Sequence, residues 1–270
     1  MRIRGYNSQQ EIAVGRQQNF ADVGGILLRP DLRSARKLLL SKTEGKMASA
    51  AFLDSLTKEI IQPGVNRLMD LPYFTELRAG KLSLRRLQGW ALQHYLHNVA
   101  LLKGFALCMV KNSHEPDLFK YFLYQMNEEQ YHPDLAKKFG IAIGLQETDF
   151  ETATPIFECL AHTSKTIHGM LLGSASENRA SALVNETMVC RYSEEHISAL
   201  LRHYGLNEKQ IQFFTVHAVA DQEHTEMARA VIARHAQTEH QQELVRQAAA
   251  HMVRFKLAKF EGIYNAYQVE

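Results

Sequence analysis

Apolar residues recur at helical spacing along almost the whole chain from Ser49 onward. In the segment that begins at Ser83, this spacing continues without a break to Met109. No stretch alternates apolar and polar residues as a half-buried β-strand would. The chain has 15 glycines and 6 prolines, 21 in all, fewer than the ~32 that average usage predicts, so residues for tight turns are scarce. These features predict an all-α fold.

Cap and breaker residues mark where the predicted helices begin and end. Pro63 is expected to interrupt the first helix, Ser83 to cap the start of the second, and Gly205 to end the helix that precedes the cap at Asn207. The predicted helical segments span residues 49–61, 83–109, 116–126, 133–144, 150–172, 179–204, 208–235 and 241–267. Long amphipathic helices with short links are typical of an antiparallel bundle.

Charge and cysteine content exclude several classes of protein. The 31 basic and 29 acidic residues give a net charge of +2, too balanced for a dedicated nucleic-acid-binding protein. Cys108, Cys159 and Cys190 show no close pairing, which argues against a disulfide-stabilised secreted protein. No apolar run approaches the ~18 residues of a membrane span, and the N-terminus lacks the apolar core of a signal peptide. The composition therefore predicts a cytoplasmic protein with neither a membrane nor a nucleic acid as partner.

The first 46 residues differ from the rest of the chain. They carry nine Lys or Arg and four Asp or Glu residues, so they are basic, and they contain only one short apolar segment with helical spacing. We therefore predict a basic, poorly ordered N-terminal arm over residues 1–46. A helical bundle domain is predicted over residues 47–270.

The segment FFTVHAVADQEH places His217, Asp221 and His224 four and three residues apart. At ~100° per residue, these side chains share one narrow stripe of a helix. The neighbouring residues are mostly apolar, so the stripe is expected to be buried. Two histidines and a carboxylate cannot be buried without partners, because that would cost several kcal/mol. This segment alone is compatible with a hydrogen-bonded polar core or with a metal site.

Two further segments supply candidate metal ligands. NEEQYHPDL places Glu129 and His132 at the ExxH spacing of di-iron carboxylate bundles, and Glu128 is an alternative to Glu129. Glu186 lies in the apolar stretch SALVNETMVC, where a glutamate is rarely buried without a partner. If Glu186 does not face solvent, the three segments together contribute three carboxylates and three histidines to one site. Such a set suits two metal ions.

Other reactive side chains have simpler interpretations. His94 and His97, in QHYLHN, have no carboxylate nearby in the sequence and are interpreted as core or pocket-lining residues. Cys190 lies four residues after Glu186 and shares its helix face. It is either a nucleophile or an inert buried thiol.

The order of these residues resembles the haem-oxygenase-like di-metal oxidases. That family includes the chlamydial protein associating with death domains and the UndA-type fatty-acid decarboxylases, and the wider fold group holds the TenA and PqqC enzymes. The resemblance covers residues 50–267. It is carried by Glu186, by the helix end RHYGL, by the HxxxDxxH pattern of FFTVHAVADQEH, and by the early helix QGWALQHYLHNV.

The resemblance implies a haem-oxygenase-like bundle of about seven antiparallel helices, with a metal site at its centre and usually a homodimer. It implies two iron ions, or iron plus manganese, as cofactors. The ligands that it implies are Glu129, His132, Glu186, His217, Asp221 and His224. Members similar to the chlamydial protein carry a lysine ten residues after the middle glutamate for self-consuming chemistry. Here that position is His196, so that activity is not expected.

The sequence thus predicts a metal-dependent oxidoreductase that reacts dioxygen with a small organic substrate held in an apolar pocket. Two alternatives stay open. A TenA-like, thiaminase-type hydrolase would use Cys190 as its nucleophile. A binding protein on the same fold would keep the bundle without turnover.

Overall fold

The computed structural model describes the backbone of residues 46–268, and the side chains of residues 50–218 and 224–268. The predicted N-terminal arm, residues 1–46, lies outside the described residues except for Lys46. Every regular element in the described part is helical, so the all-α prediction is confirmed. No described helix is both long and apolar enough to cross a membrane.

Eleven α-helices and one π-helical turn make up this part of the chain, more than the seven expected, because several helices are short. The elements in chain order are α1 (Lys46–Leu56), the π-helical turn (Thr57–Ile61), α2 (Gln62–Met69), α3 (Pro72–Arg78), α4 (Leu84–Lys111), α5 (Pro116–Glu129), α6 (His132–Ala142), α7 (Glu147–Thr152), α8 (Phe157–Leu171), α9 (Ala175–His203), α10 (Gln212–His235) and α11 (Glu239–Ala266).

At two prolines, Pro63 and Pro155, the helix boundaries differ from those predicted from the sequence. The first helix does not end at Pro63, because a π-helical turn precedes it and the amide of Gln62 bonds to the carbonyl oxygen of Thr57, five residues earlier. The wider turn accommodates a proline that has no N–H to donate. The predicted helix over residues 150–172 is in fact two helices. Pro155 disfavours helical backbone at Thr154, the residue before it, and the chain is already extended at Ala153, with φ −59° and ψ 137°.

Four long helices lie around the centre of the bundle, namely α4, α9, α10 and α11. Helix α9 packs against α10 and α11, and α4 packs against α5, α6 and α8, while α8 and α11 also contact each other. Ser83 caps α4 as predicted, because its side chain accepts a hydrogen bond from the amide of Arg86 at 3.3 Å. These contacts bring the faces that carry the predicted metal ligands towards one another.

Trp90 is fully buried in an aromatic cluster that links α4, α6 and α10. Its ring centre lies 4.8 Å from that of Phe214, 5.0 Å from that of Phe213 and 5.6 Å from that of Phe139. We expect Trp90→Ala to lower the free energy of unfolding by about 3–5 kcal/mol, because it leaves a large cavity. Urea denaturation measures the change. Val110→Ala, at a 73% exposed position of the same helix, should change it by less than about 0.5 kcal/mol. Equal losses in the two variants would contradict this role of Trp90.

Candidate metal centre

A cavity of about 60 Å³ lies between α4, α5, α8, α9, α10 and α11, with room for a small molecule or a few waters. Three of the predicted ligands, Glu129, Glu186 and His217, lie in its wall. The other lining residues are His94, His97, Asn98, Leu101, Phe105, Thr166, Met170, Asn178, Arg179, Ser181, Ala182, Asn185, Val189 and Met252. Histidine, asparagine, glutamate and arginine side chains lie in this wall beside leucine, phenylalanine and methionine, so the pocket is more polar than the sequence predicted.

Glu129 and His217, which line the cavity, both contact His132. The Oε2 atom of Glu129 lies 2.5 Å from Nδ1 of His132, and Nε2 of His217 lies 3.2 Å from the same Nδ1. Glu129 is the last residue of α5 and His132 the first of α6, so their ExxH spacing crosses a helix break. Glu128, the alternative ligand, is exposed. The structure therefore places Glu129, and not Glu128, beside the two histidines.

The ring of His217 is oriented as a metal-binding imidazole needs to be. Its Nδ1 atom donates a hydrogen bond to the carbonyl oxygen of Phe213 at 2.7 Å. This bond leaves the lone pair of Nε2 facing the other donor atoms, an arrangement that is typical of histidine ligands. Burial lowers the pKa of His217 to about 3, so its ring is neutral at pH 7 and able to bind a cation.

Glu129 and His132 form a buried ion pair. Burial opposes the charged form of Glu129, but the charge and hydrogen bond of His132 outweigh it and bring the pKa of Glu129 to about 2. Burial likewise opposes the charged form of His132, and the neighbouring carboxylate raises its pKa nevertheless. The carboxylate is therefore ionised at neutral pH, the form in which it can bind a metal.

Glu186 is buried on α9, with only 9% of its surface exposed. Among the described residues, its Oε2 atom has no hydrogen-bond partner. Burial raises the pKa of Glu186 to about 8, although the nearby Arg179 guanidinium acts in the opposite direction. A buried carboxyl oxygen without a partner is costly, and a cation bound beside it would offset that cost.

The last two predicted ligands belong to α10. His224 is buried, with 2% exposure, and lies two helical turns after His217. It contributes to the low pKa of Glu129, so it lies in the same electrostatic environment. The side chain of Asp221 is outside the described residues. Among the described side chains, no group of three His, Cys, Asp or Glu residues is already arranged to hold a metal ion. Their types, imidazole and carboxylate, nevertheless fit iron or manganese.

Comparison with known proteins identifies the family. Residues 88–256 match the model of a haem-oxygenase-like family described as iron-containing redox enzymes. The chain belongs to this family. Membership confirms the predicted oxidoreductase class.

Curated relatives agree with this assignment. The chain is 26% identical over 192 residues to 4-aminobenzoate synthase of Chlamydia muridarum, which covers 69% of this chain and 80% of the relative. It is 25% identical over 186 residues to the protein of the same name from Chlamydia trachomatis, covering 67% and 79%.

Solved structures confirm the haem-oxygenase-like fold. A domain of unknown function with this fold from Shewanella denitrificans has a TM-score of 0.73 at 16% identity, over 80% of this chain and 93% of that one. A TenA homologue from Pseudomonas syringae has a TM-score of 0.71 at 16% identity, over 83% and 98%.

In this iron-containing redox enzyme, the sequence also singled out four other residues, Cys190, His196, His94 and His97. The thiol of Cys190 is directed at the carbonyl oxygen of Ala218, 3.5 Å away, and the residue is not part of the cavity wall. His196, at the position of the lysine used in self-consuming chemistry, is fully buried and stacks on Phe214 with ring centres 4.3 Å apart. His94 and His97 are pocket-lining residues, as expected.

Arg179 is a site residue that sequence reasoning missed. It is 1% exposed and lies two helical turns before Glu186 on α9. Its guanidinium donates hydrogen bonds to the hydroxyl of Tyr121 at 2.9 Å, to Oε1 of Gln125 and to Oδ1 of Asn178. The available signal was its seven-residue spacing from Glu186, which puts both on one helix face.

Proposed function

We propose that this enzyme is a non-haem oxidase or oxygenase that uses dioxygen to oxidise a small organic substrate. The cofactors we propose are two iron ions, or iron plus manganese. The proposed ligands are Glu129, His132, Glu186, His217, Asp221 and His224. The main support is the contact of His132 with Glu129 and His217, two residues that line one cavity, in a chain that belongs to an iron-containing redox family.

When bound by these residues, iron would supply the redox chemistry needed to activate dioxygen. The protein's own groups prepare the site. Phe213 fixes the His217 ring through its carbonyl oxygen, so Nε2 keeps its lone pair available. The carboxylate of Glu129 is held ionised, whereas Glu186 must give up its proton to bind a cation. The buried wall restricts water around the substrate, and its polar groups orient that substrate.

The two chlamydial relatives are named 4-aminobenzoate synthases. For this chain we propose the wider reaction class, oxidation of a small organic molecule, and not self-consuming chemistry. The reason is His196, which lies in the aromatic core between Tyr73 and Phe214 and does not line the cavity.

Metal analysis and oxygen consumption test the proposal together. Protein purified from iron-supplemented cells should contain about two equivalents of iron, or of iron and manganese together. After reduction, it should consume dioxygen, and removal of the metal by a chelator should stop the reaction. Freshly purified protein with neither metal, and with no oxygen uptake after iron is added back, would contradict the proposal.

Cys190→Ser separates the proposed oxidase from a TenA-like hydrolase. We expect the variant to keep its metal content, and its oxygen uptake to stay within about twofold of the parent, because the thiol lies outside the cavity wall. A hydrolase that uses this thiol as its nucleophile would instead lose turnover completely. The measurement is oxygen uptake beside thiamine hydrolysis for both proteins. Hydrolysis that disappears only with Cys190 would favour the alternative.

A further inference from the structure

Lys259 is a buried lysine of α11 that takes no part in the proposed metal binding. It is only 1% exposed, and its ammonium nitrogen lies 3.2 Å from Nδ1 of His94 on α4. Burial lowers the pKa of Lys259 to about 8, although the thiol of Cys159 acts in the opposite direction. A lysine in this state can give up a proton near neutral pH, which a solvated lysine does not do.

The hydrogen bond from Lys259 determines which nitrogen of the His94 ring carries the proton. An ammonium group has three donors and no acceptor, so Nδ1 must accept. Burial, followed by the charge of Lys259, lowers the pKa of His94 well below its usual range, so the ring is neutral. A neutral imidazole has one N–H group, which is therefore at Nε2.

His94 connects Lys259 to the cavity. The histidine lies in the cavity wall, whereas Lys259 is not one of the lining residues. Trp90 stacks on the His94 ring with centres 4.8 Å apart, and the edge contact with Phe213 has centres 4.9 Å apart. This packing holds the ring with its Nδ1 edge towards Lys259, so the opposite edge carries the Nε2 proton.

The other titratable groups on α4 and α8 that face Lys259 are uncharged. Burial lowers the pKa of His97 and of His162 well below the usual range, and the charge of Lys259 acts in the same direction. Burial raises the pKa of the Cys159 thiol to about 11. Two neutral rings and a protonated thiol therefore surround the ammonium group on this side.

Lys256, on the same helix as Lys259, approaches the cavity through a different kind of group. Its ammonium group donates a hydrogen bond to Oδ1 of Asn185 at 2.6 Å, and Asn185 lines the cavity. An amide side chain does not change its protonation near neutral pH, but an imidazole does. Of these two contacts, only that between Lys259 and His94 can pass a proton to the cavity.

The proposed oxidase needs protons inside the bundle. Reduction of dioxygen to water takes up one proton for each electron, and the cavity of about 60 Å³ has room for only a few waters. A positioned side chain that supplies a proton typically accelerates a reaction by about 100- to 10,000-fold. A proton donor beside this cavity would therefore have a large effect on the rate.

We propose that Lys259 and His94 together hold one proton for the reduction of dioxygen and deliver it to the cavity from Nε2 of His94. An N–H bond of the ammonium group breaks as one forms at Nδ1. At the same time the Nε2–H bond breaks, and an O–H bond forms on dioxygen that has taken up electrons. Those electrons come from the proposed iron and a reductant, so the pair supplies only the proton.

Water restores the pair after each turnover. When water re-enters the cavity, it returns a proton to Nε2, and Nδ1 gives its proton back to Lys259. The inference rests on the proposed oxidase, because the dioxygen reaction consumes the proton.

Three variants of the iron-loaded, full-length enzyme test the inference. Lys259→Met removes the donor. Lys259→Arg keeps the positive charge, but a guanidinium does not release its proton in a protein. His94→Gln keeps an oxygen that can accept from Lys259, but an amide cannot pass a proton on. Each variant should keep its iron and consume dioxygen at least about tenfold more slowly than the parent after reduction.

The matched control is Arg254→Met, which removes a positive charge at an exposed position of the same helix. Its oxygen uptake should stay within about twofold of the parent. Rates in H₂O and D₂O provide a second comparison. The ratio of the two rates should be larger for the three variants than for the parent, since proton supply then limits the reaction.

Nitrogen NMR spectroscopy of isotope-labelled histidine tests the pair without metal or turnover. In the chelator-treated parent, the His94 ring should carry its proton on Nε2, and its signals are identified by their absence from His94→Gln. In Lys259→Met the Nδ1 signal should shift, because that nitrogen loses its hydrogen-bond donor.

Several results would overturn the inference. They are oxygen uptake within about twofold of the parent in Lys259→Met or His94→Gln, full activity in Lys259→Arg, and a His94 ring protonated on Nδ1. A variant whose activity falls only in proportion to its iron content would show a structural role instead. An active parent with unaffected variants contradicts this inference alone, whereas a parent that takes up no dioxygen contradicts the oxidase as well.

Discussion

Replacing His217 by alanine is expected to lower the iron content of the purified enzyme by at least half and to abolish its oxygen consumption. The variant loses an imidazole nitrogen that faces Glu129 and His132 at the cavity. Imidazole is a principal source of affinity for such ions, and loss of a hydrogen-bond partner to a ligand alone already costs about 10–100-fold in affinity or activity. Elemental analysis and an oxygen electrode provide the two measurements.

The matched control for this variant is His251→Ala, at an exposed position of α11. It should keep its metal content and oxygen uptake, because its ring is outside the cavity. Circular dichroism checks that both variants fold. If the His217 variant retained full metal and full oxygen uptake, His217 would not be a ligand and the proposed centre would be wrong.

Glu186→Gln is expected to stabilise the metal-free protein at pH 8 by about 4 kcal/mol, while it removes a proposed ligand. Burial raises the pKa of Glu186 from 4.5 to about 8. A carboxyl group whose pKa is raised in the folded state contributes no penalty below pH 4.5, where both states hold the proton. As the pH rises from 4.5 towards 8, unfolding releases that proton and stability falls by up to about 1.4 kcal/mol per pH unit. Glutamine is uncharged over this whole pH range, so the stability of the variant does not fall in this way as the pH rises.

Urea denaturation of the two chelator-treated proteins at pH 5 and pH 8 measures the effect. The difference between variant and parent should be small at pH 5, about 1 kcal/mol, and grow to its full value at pH 8. Glu194→Gln, an exposed substitution on the same helix, should show a difference below about 1 kcal/mol at both pH values. A difference for Glu186→Gln that does not change with pH would contradict the raised pKa.

The sequence was most informative where polar residues interrupt an apolar helix face. His217 and His224 share such a face of α10, and the structure buries both. Glu186 is buried for the same reason, since its apolar neighbours on α9 pack into the core. Helical periodicity gives the direction of these side chains directly, so no knowledge of the partner helices was needed.

Other features depend on contacts between distant segments, which periodicity does not contain. Lys259 is separated from its partner His94 by 165 positions in the chain, and Arg179 from Tyr121 by 58. Nothing local distinguishes a buried lysine from the solvated lysines of an ordinary amphipathic helix. The break between Glu129 and His132, by contrast, was expected, because the predicted helices end at residue 126 and resume at residue 133.

The helix break between Glu129 and His132 has a mechanical consequence for the bundle. The two side chains belong to different helices, α5 and α6, and the link between them is only Gln130 and Tyr131. A cation held by both, and by residues of α9 and α10, would act as a cross-link between four helices that otherwise rely on packing. An unfolded chain cannot offer this arrangement, so ligation would shift the folding equilibrium by mass action. Amide hydrogen exchange at the end of α5 and the start of α6 should therefore slow on metal loading more than exchange in α1, which supplies none of the proposed ligands.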